Sequence, residues 1–221
     1  MTKTVIADYT DIMSTQSGYL LIVEDDNDIR QLLNTALTYA GYRVRVAPNG
    51  KEGLEAVQKE RPAIVITDIM MPQLDGFGLV HRLRINPDTR DIPVVFITAT
   101  YVTDEDQEFA LNIGATRFLQ KPVDLEQFLG TVSEVLKQNL PTEFEPLEEI
   151  DFYEGYRKRL EAKLEEKNKQ IAREEYLLGT PSDENNLSMQ TSIHHAVRER
   201  EEIEHLLDQL LKQIEKFEKP K

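Results

Sequence analysis

Apolar and polar positions alternate along the first two-thirds of the chain in a repeating order. Tyr19-Leu20-Leu21-Ile22-Val23 is a continuous apolar run, the pattern of a strand buried on both faces. Asp28 to Ala40 follows with Ile29, Leu32, Leu33, Ala36, Leu37 and Ala40 at helical spacing, and Gly41 stands where a helix commonly ends. Val44–Ala47 predicts a second strand, and Lys51–Lys59 a helix. Ala63-Ile64-Val65-Ile66-Thr67 predicts a third strand, and Phe77–Leu83 a helix that Asn86-Pro87-Asp88 breaks. Val94–Thr98 predicts a fourth strand, Asp104–Ile113 a helix stopped by Gly114, Arg117–Leu119 a fifth strand and Leu125–Asn139 a fifth helix. Strands alternating with helices across short connections predict a parallel sheet covered by helices on both faces. In such folds ligands sit outside the carboxyl ends of the strands, where strand order reverses.

The rest of the chain follows another pattern. Residues 1–18 are mixed and polar, a flexible lead-in to a compact domain over 19–140. PTEFEP, residues 141–146, reads as a linker. From 147 to 221 the chain is charged and helix-favouring. One apolar stripe, Ile150, Tyr153, Leu160, Leu164, Ile171 and Leu178, runs along a first helix from Leu147 to Leu178. Gly179, Thr180 and Pro181 supply a stop, a cap and a first helical position. A second helix beginning near Leu187 carries Ile193, Ala196, Ile203, Leu207, Leu210, Ile214 and Phe217 at three- and four-residue steps, interrupted by Arg200. Each helix of about 30 residues extends about 45 Å and has one apolar stripe, so each needs a partner. A helical hairpin within the chain, a two-chain coiled coil and a helix that changes its fold all satisfy that need.

Composition narrows the function classes. Formal net charge is -14 and the sequence pI is about 4.8, with the charge divided evenly about Pro141. Such a surface repels phosphate backbones, which argues against direct DNA or RNA binding. Arg157-Lys158-Arg159 is the one basic cluster and acids surround it, so it reads as a solvated helix face. There is no cysteine, hence no disulfide and no thiolate metal site. The N-terminus lacks the apolar run of a signal peptide, and no stretch approaches the roughly 20 apolar residues of a membrane span, so a cytoplasmic protein is expected. His194-His195 lacks neighbours at ligand spacing, and His205 lies beside the apolar seam; both read as surface positions.

The chemistry gathers at strand ends. The first strand runs into Glu24-Asp25-Asp26, the third into Asp68, the fourth ends at Thr98, and Lys121-Pro122 follows the fifth. In a parallel sheet these ends open on one edge, so carboxylates, a hydroxyl and an ammonium converge there. Carboxylates so close repel unless protonated or held by a cation, and hard oxygen ligands with room for water suit Mg²⁺. A carboxylate beside that ion can attack phosphorus and form an acyl phosphate. Taken singly each residue has an ordinary reading: the acidic run as a helix cap, Asp68 as a loop start, Thr98 as a strand threonine, Lys121 as a surface lysine. All four in order at the ends of the expected strands make the functional reading the stronger.

LIVEDDNDIR, VITDIMMPQLDGFGL, VVFITAT and FLQKPV, spread over residues 18–139, resemble the four motifs of the receiver domains of two-component response regulators. The resemblance implies a CheY-like, doubly wound five-stranded sheet of order 2-1-3-4-5. It implies Asp68 as phospho-acceptor and Glu24 and Asp25 as the acidic pair binding Mg²⁺. Met70 would supply a metal-ligating backbone carbonyl, Thr98 and Lys121 would hold the phosphoryl group, and Thr98 and Phe118 would form the switch, with a cis Lys121-Pro122 bond. Asp75-Gly76 reads as a turn after the acceptor, and Met70 and Thr100 flank it at positions that in the family tune the lifetime of the phosphoryl group. A sensor histidine kinase is the implied upstream partner. Beyond transfer of a phosphoryl group to and from Asp68, no enzyme activity is expected. The helical tail points to output through an unidentified downstream protein or a homodimer; the alternative is a DNA-binding transcriptional regulator with an atypical helical output domain.

Overall fold

The computed structural model describes residues 18–99, 103–138, 147–178 and 186–218. The chain divides into two compact units, Met1–Leu147 and Glu148–Lys221. In the first, strands β1 (Leu20–Val23), β2 (Val44–Ala47), β3 (Ile64–Thr67), β4 (Val94–Thr98) and β5 (Arg117–Gln120) alternate with helices α1 (Asn27–Tyr39), α2 (Gly50–Lys59), α3 (Gly76–Ile85), α4 (Asp104–Asn112) and α5 (Leu125–Lys137). All neighbouring strands pair in parallel, in the order β2-β1-β3-β4-β5. The expected order is therefore the observed one, and the expected element ends shift by no more than a few residues.

The alternation of side chains explains the two layers. Leu20, Ile22, Ile64, Ile66, Val95, Ile97 and Leu119 point to one face and pack with Leu33 and Leu37 of α1 and Phe128, Val132, Val135 and Leu136 of α5. The intervening residues face the other layer: a Cβ at Gly53 of α2 would lie 2.9 Å from Val23 Cγ2, so only glycine lets α2 approach this closely. Val23, Val65 and Phe96 are wholly buried, which is why β1, β3 and β4 read as unbroken apolar runs. The helix entrances are capped. Asp26 accepts from the Asp28 and Ile29 amides, Asn49 from Glu52, Asp75 from Gly78 and Asp124 from Gln127; Thr103 and Asp106 form a reciprocal capping box.

The second unit is a helical hairpin of α6 (Glu149–Leu178) and α7 (Asn186–Glu218). Lys167 Nζ lies 2.7 Å from a Glu199 carboxylate oxygen, and the Ser192 hydroxyl donates to Glu174 at 3.1 Å, so the helices run antiparallel with these pairs in step. Phe152, Tyr156, Leu160, Lys163 and Ile171 of α6 and Ala196, Ile203, Leu206, Leu210 and Ile214 of α7 are buried. The α6 seam thus differs from the stripe read in the sequence: Ile150 is exposed, and Tyr153 and Leu164 are half-buried. The helix is rotated so that Phe152 and Tyr156, two large aromatics, take the seam, and the Lys163 stem fills the position Leu164 was expected to hold. On α7 Leu206, rather than Leu207, is the deeper residue. Expectations on residues 1–17, 139–146, Thr100 and Gly179 to Pro181, and on the side chain of Phe217, fall outside the described residues.

Candidate functional site

The carboxyl edge of the sheet collects the polar groups that the strands cannot bury. Directly after β1, the acidic run splits in role. Asp26 turns back to cap α1, and its carboxylate is held low by the Ile29 and Asp28 amides. Glu24 and Asp25 are left facing the strand ends. Their backbone is fixed by Arg30, whose guanidinium donates to the Glu24 carbonyl at 2.6 Å and the Asp25 carbonyl at 3.0 Å. Nothing in the sequence pattern marked Arg30 for this task.

Asp68 begins the loop after β3. Its amide donates to Val23 at 2.9 Å, and its Oδ1 accepts from the Ile69 amide at 2.6 Å. Gly76 closes the loop: its amide donates to Ile69 at 2.8 Å, and a Cβ there would fall 2.1 Å from the Asp68 carbonyl oxygen. From β4, the buried Thr98 hydroxyl hydrogen-bonds the Asp68 carboxylate. Lys121, at the end of β5 and before a cis bond to Pro122, reaches 2.6 Å from Asp68 Oδ2 and 2.9 Å from Glu24 Oε2. Glu24, Asp25 and Asp68 each place one carboxylate oxygen within 4.8 Å of the others. Residues from four strand ends therefore meet, as the sequence reading required.

Residues 20–133 match the response regulator receiver domain family. The chain belongs to that family. An uncharacterised 14.6 kDa protein of Leptolyngbya boryana is 39% identical over 115 residues, covering 52% of this chain and 87% of that protein. The probable transcriptional regulator ycf27 of Pyropia yezoensis is 36% identical over 126 residues, and response regulator MprA of Mycobacterium leprae 36% over 122 residues. These alignments cover 57% and 55% of this chain, and 50% and 52% of the relatives. The chain thus spans about half the length of these two regulators. Among solved structures, a response regulator from Chloroflexus aurantiacus J-10-fl (32% identity, TM-score 0.52) is covered over 98% of its length and matches 55% of this chain. The chemotaxis response regulator CheY4 of Vibrio cholerae (32% identity, TM-score 0.51) is covered over 99% and matches 54%.

The electrostatics of the receiver site are those of too many carboxylates for one ammonium. Burial and the Asp68 charge push the Glu24 carboxyl up to about 7, with Lys121 pulling the other way. Burial also raises Asp68, opposed by Lys121 and by the Ile69 and Thr98 hydrogen bonds, and burial and Asp68 raise Asp25. Burial works against the Lys121 charge, but Asp68 and Glu24 outweigh it and lift its pKa. Glu24 Oε2 is buried and accepts no aligned hydrogen bond, although Lys121 Nζ is close. A hard divalent cation suits this oxygen-only donor set, since it would relieve the repulsion and satisfy the orphaned oxygen. Met70, two residues beyond Asp68, is half-buried on the same loop. Phe118 of the receiver is half-buried on β5, its ring 6.4 Å from Phe96 and tilted by 64°.

Sequence reasoning missed one buried cation elsewhere in the receiver. Arg84 of α3 is fully buried and donates to the Gly114 carbonyl through Nε and Nη2, at 3.1 and 2.6 Å. Gly114 has φ +99°, and a Cβ there would lie 2.4 Å from Arg84 Nε. Its basic character next to Leu83 and Ile85 gave no sign of burial.

Proposed function

We propose that the protein is a response regulator of a two-component phosphorelay, phosphorylated on Asp68 by a sensor histidine kinase. The observation that carries the reading is Lys121 bridging Asp68 and Glu24 at the carboxyl edge, with Asp25 and Thr98 beside them. Glu24, Asp25, Asp68 and the Met70 carbonyl would hold Mg²⁺. When bound, the ion neutralises charge on the transferring phosphoryl oxygens. An Asp68 carboxylate oxygen forms a bond to phosphorus as the P–N bond of the donor phosphohistidine breaks, and the leaving imidazole takes up a proton. Lys121 exchanges one carboxylate partner for a phosphoryl oxygen, and the Thr98 hydroxyl turns from the acceptor carboxylate to the new anion. The space that Thr98 vacates lets Phe118 move inward, the step that converts chemistry into a changed surface. Hydrolysis of the acyl phosphate returns Asp68; the chain acts on no other substrate.

The output acts through protein–protein contact by the hairpin. Two long helices with an acidic balance favour a protein partner over a nucleic acid backbone. The second reading, a transcriptional regulator, rests on similarity to relatives such as the probable transcriptional regulator ycf27, which this chain matches over half its length. No described helix is long and apolar enough to cross a membrane, which accords with action in the cytoplasm beside the kinase. The test is intact mass after incubation with Mg²⁺ and acetyl phosphate. A phosphoryl gain is expected in the native chain and absent in Asp68→Asn or with EDTA. An equal gain in Asp68→Asn would overturn the assignment.

A further inference from the structure

The hairpin's two flanks differ in kind. At 3.6 residues per turn, Ile193, Val197, Arg200, Glu204, Leu207 and Leu211 of α7 fall within an arc of roughly 80° beside the buried seam. The opposite flank of the same helix carries His195, Glu202, Gln209 and Gln213. In the first group Ile193, Val197 and Leu207 are half-buried and Leu211 is 39% exposed. In an antiparallel pair, positions turned the same way from the seam lie on the same side. Half-buried Leu164 of α6 therefore joins this face.

Between Ile193 and Leu211 the α7 part of the face is symmetrical about its own middle. Ile193 and Leu211, Val197 and Leu207, and Arg200 and Glu204 are pairs each centred on position 202. The register set by Lys167–Glu199 and Ser192–Glu174 places Leu164 level with Glu202, and Ile150 and Leu178 lie equally far on either side of Leu164. One two-fold axis at this level thus turns the apolar α7 positions between Ile193 and Leu211 onto one another and the Arg200 cation onto a carboxylate. Within the chain the Arg200–Glu204 contact is loose: Nε lies 3.7 Å from the carboxylate, and this buried atom makes no hydrogen bond.

We propose that this face is a homodimer interface. It packs on a second copy of itself, α7 against the partner's α7 and α6 against the partner's α6, as an antiparallel four-helix bundle. The proposal deepens the output reading above by naming the surface and its occupant. The self-complementary charge order selects a second copy over an unrelated partner, because an isologous contact demands it. The area suffices. Along the 30 residues of α6, the face is about 45 Å long and about 20 Å wide, or roughly 900 Å² per copy, against the ~800 Å² per partner of a stable interface.

Charge reversal in the full-length chain tests it, read by analytical ultracentrifugation. The native chain should be a dimer. Arg200→Glu alone sets acids against acids, and Glu204→Arg alone sets bases against bases; each should weaken association on the order of tenfold or more. Mixing the two single variants should restore a dimer with one copy of each, resolved by native mass spectrometry with one variant isotopically labelled. An altered fold within either chain cannot produce that rescue, and unchanged helical circular dichroism confirms each variant folds. Leu207→Glu should give a monomer that mixing does not rescue. A monomeric native chain, single variants that dimerise like the native chain, or a mixture that stays monomeric would each overturn the interface. Phosphoryl uptake by Asp68, assayed on the same samples, should be unchanged in every variant. Its loss from the native chain would count against the receiver chemistry and leave the dimer result standing.

Discussion

Glu24→Gln removes one charge from the crowded edge while keeping the shape of the side chain. The Glu24 carboxyl rises from 4.5 to about 7 on folding. The folded receiver therefore holds this proton more tightly than the unfolded chain does. The resulting stability is fully present below the unfolded value and is lost as pH rises through the folded one. Between about pH 5 and about pH 8 the Glu24 contribution falls by about 2.5 kcal/mol. Asp68 and Asp25, also raised, add slopes of the same sign to both chains. The difference between the chains isolates Glu24 together with its coupling to Asp68. The assay is urea titration in EDTA, followed by NMR of the Ile66 and Val95 methyls, which lie in the receiver core and report that unit alone. At about pH 8 the variant should be the more stable by up to about 3 kcal/mol, converging on the native chain toward pH 5. Saturating Mg²⁺ should reverse the order, because the cation favours the ionised carboxylate. Parallel pH profiles for the two chains in EDTA would refute the account of a repulsive site.

Other perturbations are expected to act as follows. Gly76→Ala drives a Cβ to 2.1 Å from the Asp68 carbonyl and 2.9 Å from Ile69 Cα. Backbone atoms cannot step aside, so a loss of about 2–3 kcal/mol in receiver stability and slower phosphoryl uptake are expected by denaturation and intact mass. Leu160→Ala empties a fully buried position of the hairpin seam, and thermal unfolding of the tail should register a cost of about 2–5 kcal/mol. Lys163→Met keeps the buried stem and removes an ammonium 3.0 Å from Glu166. Its melting temperature should be unchanged or higher, and a marked fall would show that the charge itself holds the seam.

The receiver was legible because its strands are buried on both faces. Unbroken runs such as Leu20–Val23 and Ile64–Thr67 have no other economical reading, and the residues just past them then fall on one edge by topology alone. Glu24, Asp68, Thr98 and Lys121 were found by that route, although 97 residues separate Glu24 from Lys121. Arg30 and Arg84 were not, since their work is done through backbone carbonyls, which leave no trace in side-chain pattern. On α6 the seam was misread by one position because Lys163 and Leu164 are neighbours of similar length. Hydrophobicity favours the leucine, whereas the rotation set by Phe152 and Tyr156 favours the lysine stem.

The ties Lys167–Glu199 and Ser192–Glu174 set how the hairpin can move. Sliding α7 by one turn along α6 would shift it about 5.4 Å and part both pairs, one of them flanked by the buried Lys163 and Ile171. The hairpin is therefore geared: its helices can bend or separate at an end, but translation of one past the other meets a toothed resistance. A displacement applied at one end of this unit would therefore be carried along it as by a stiff lever.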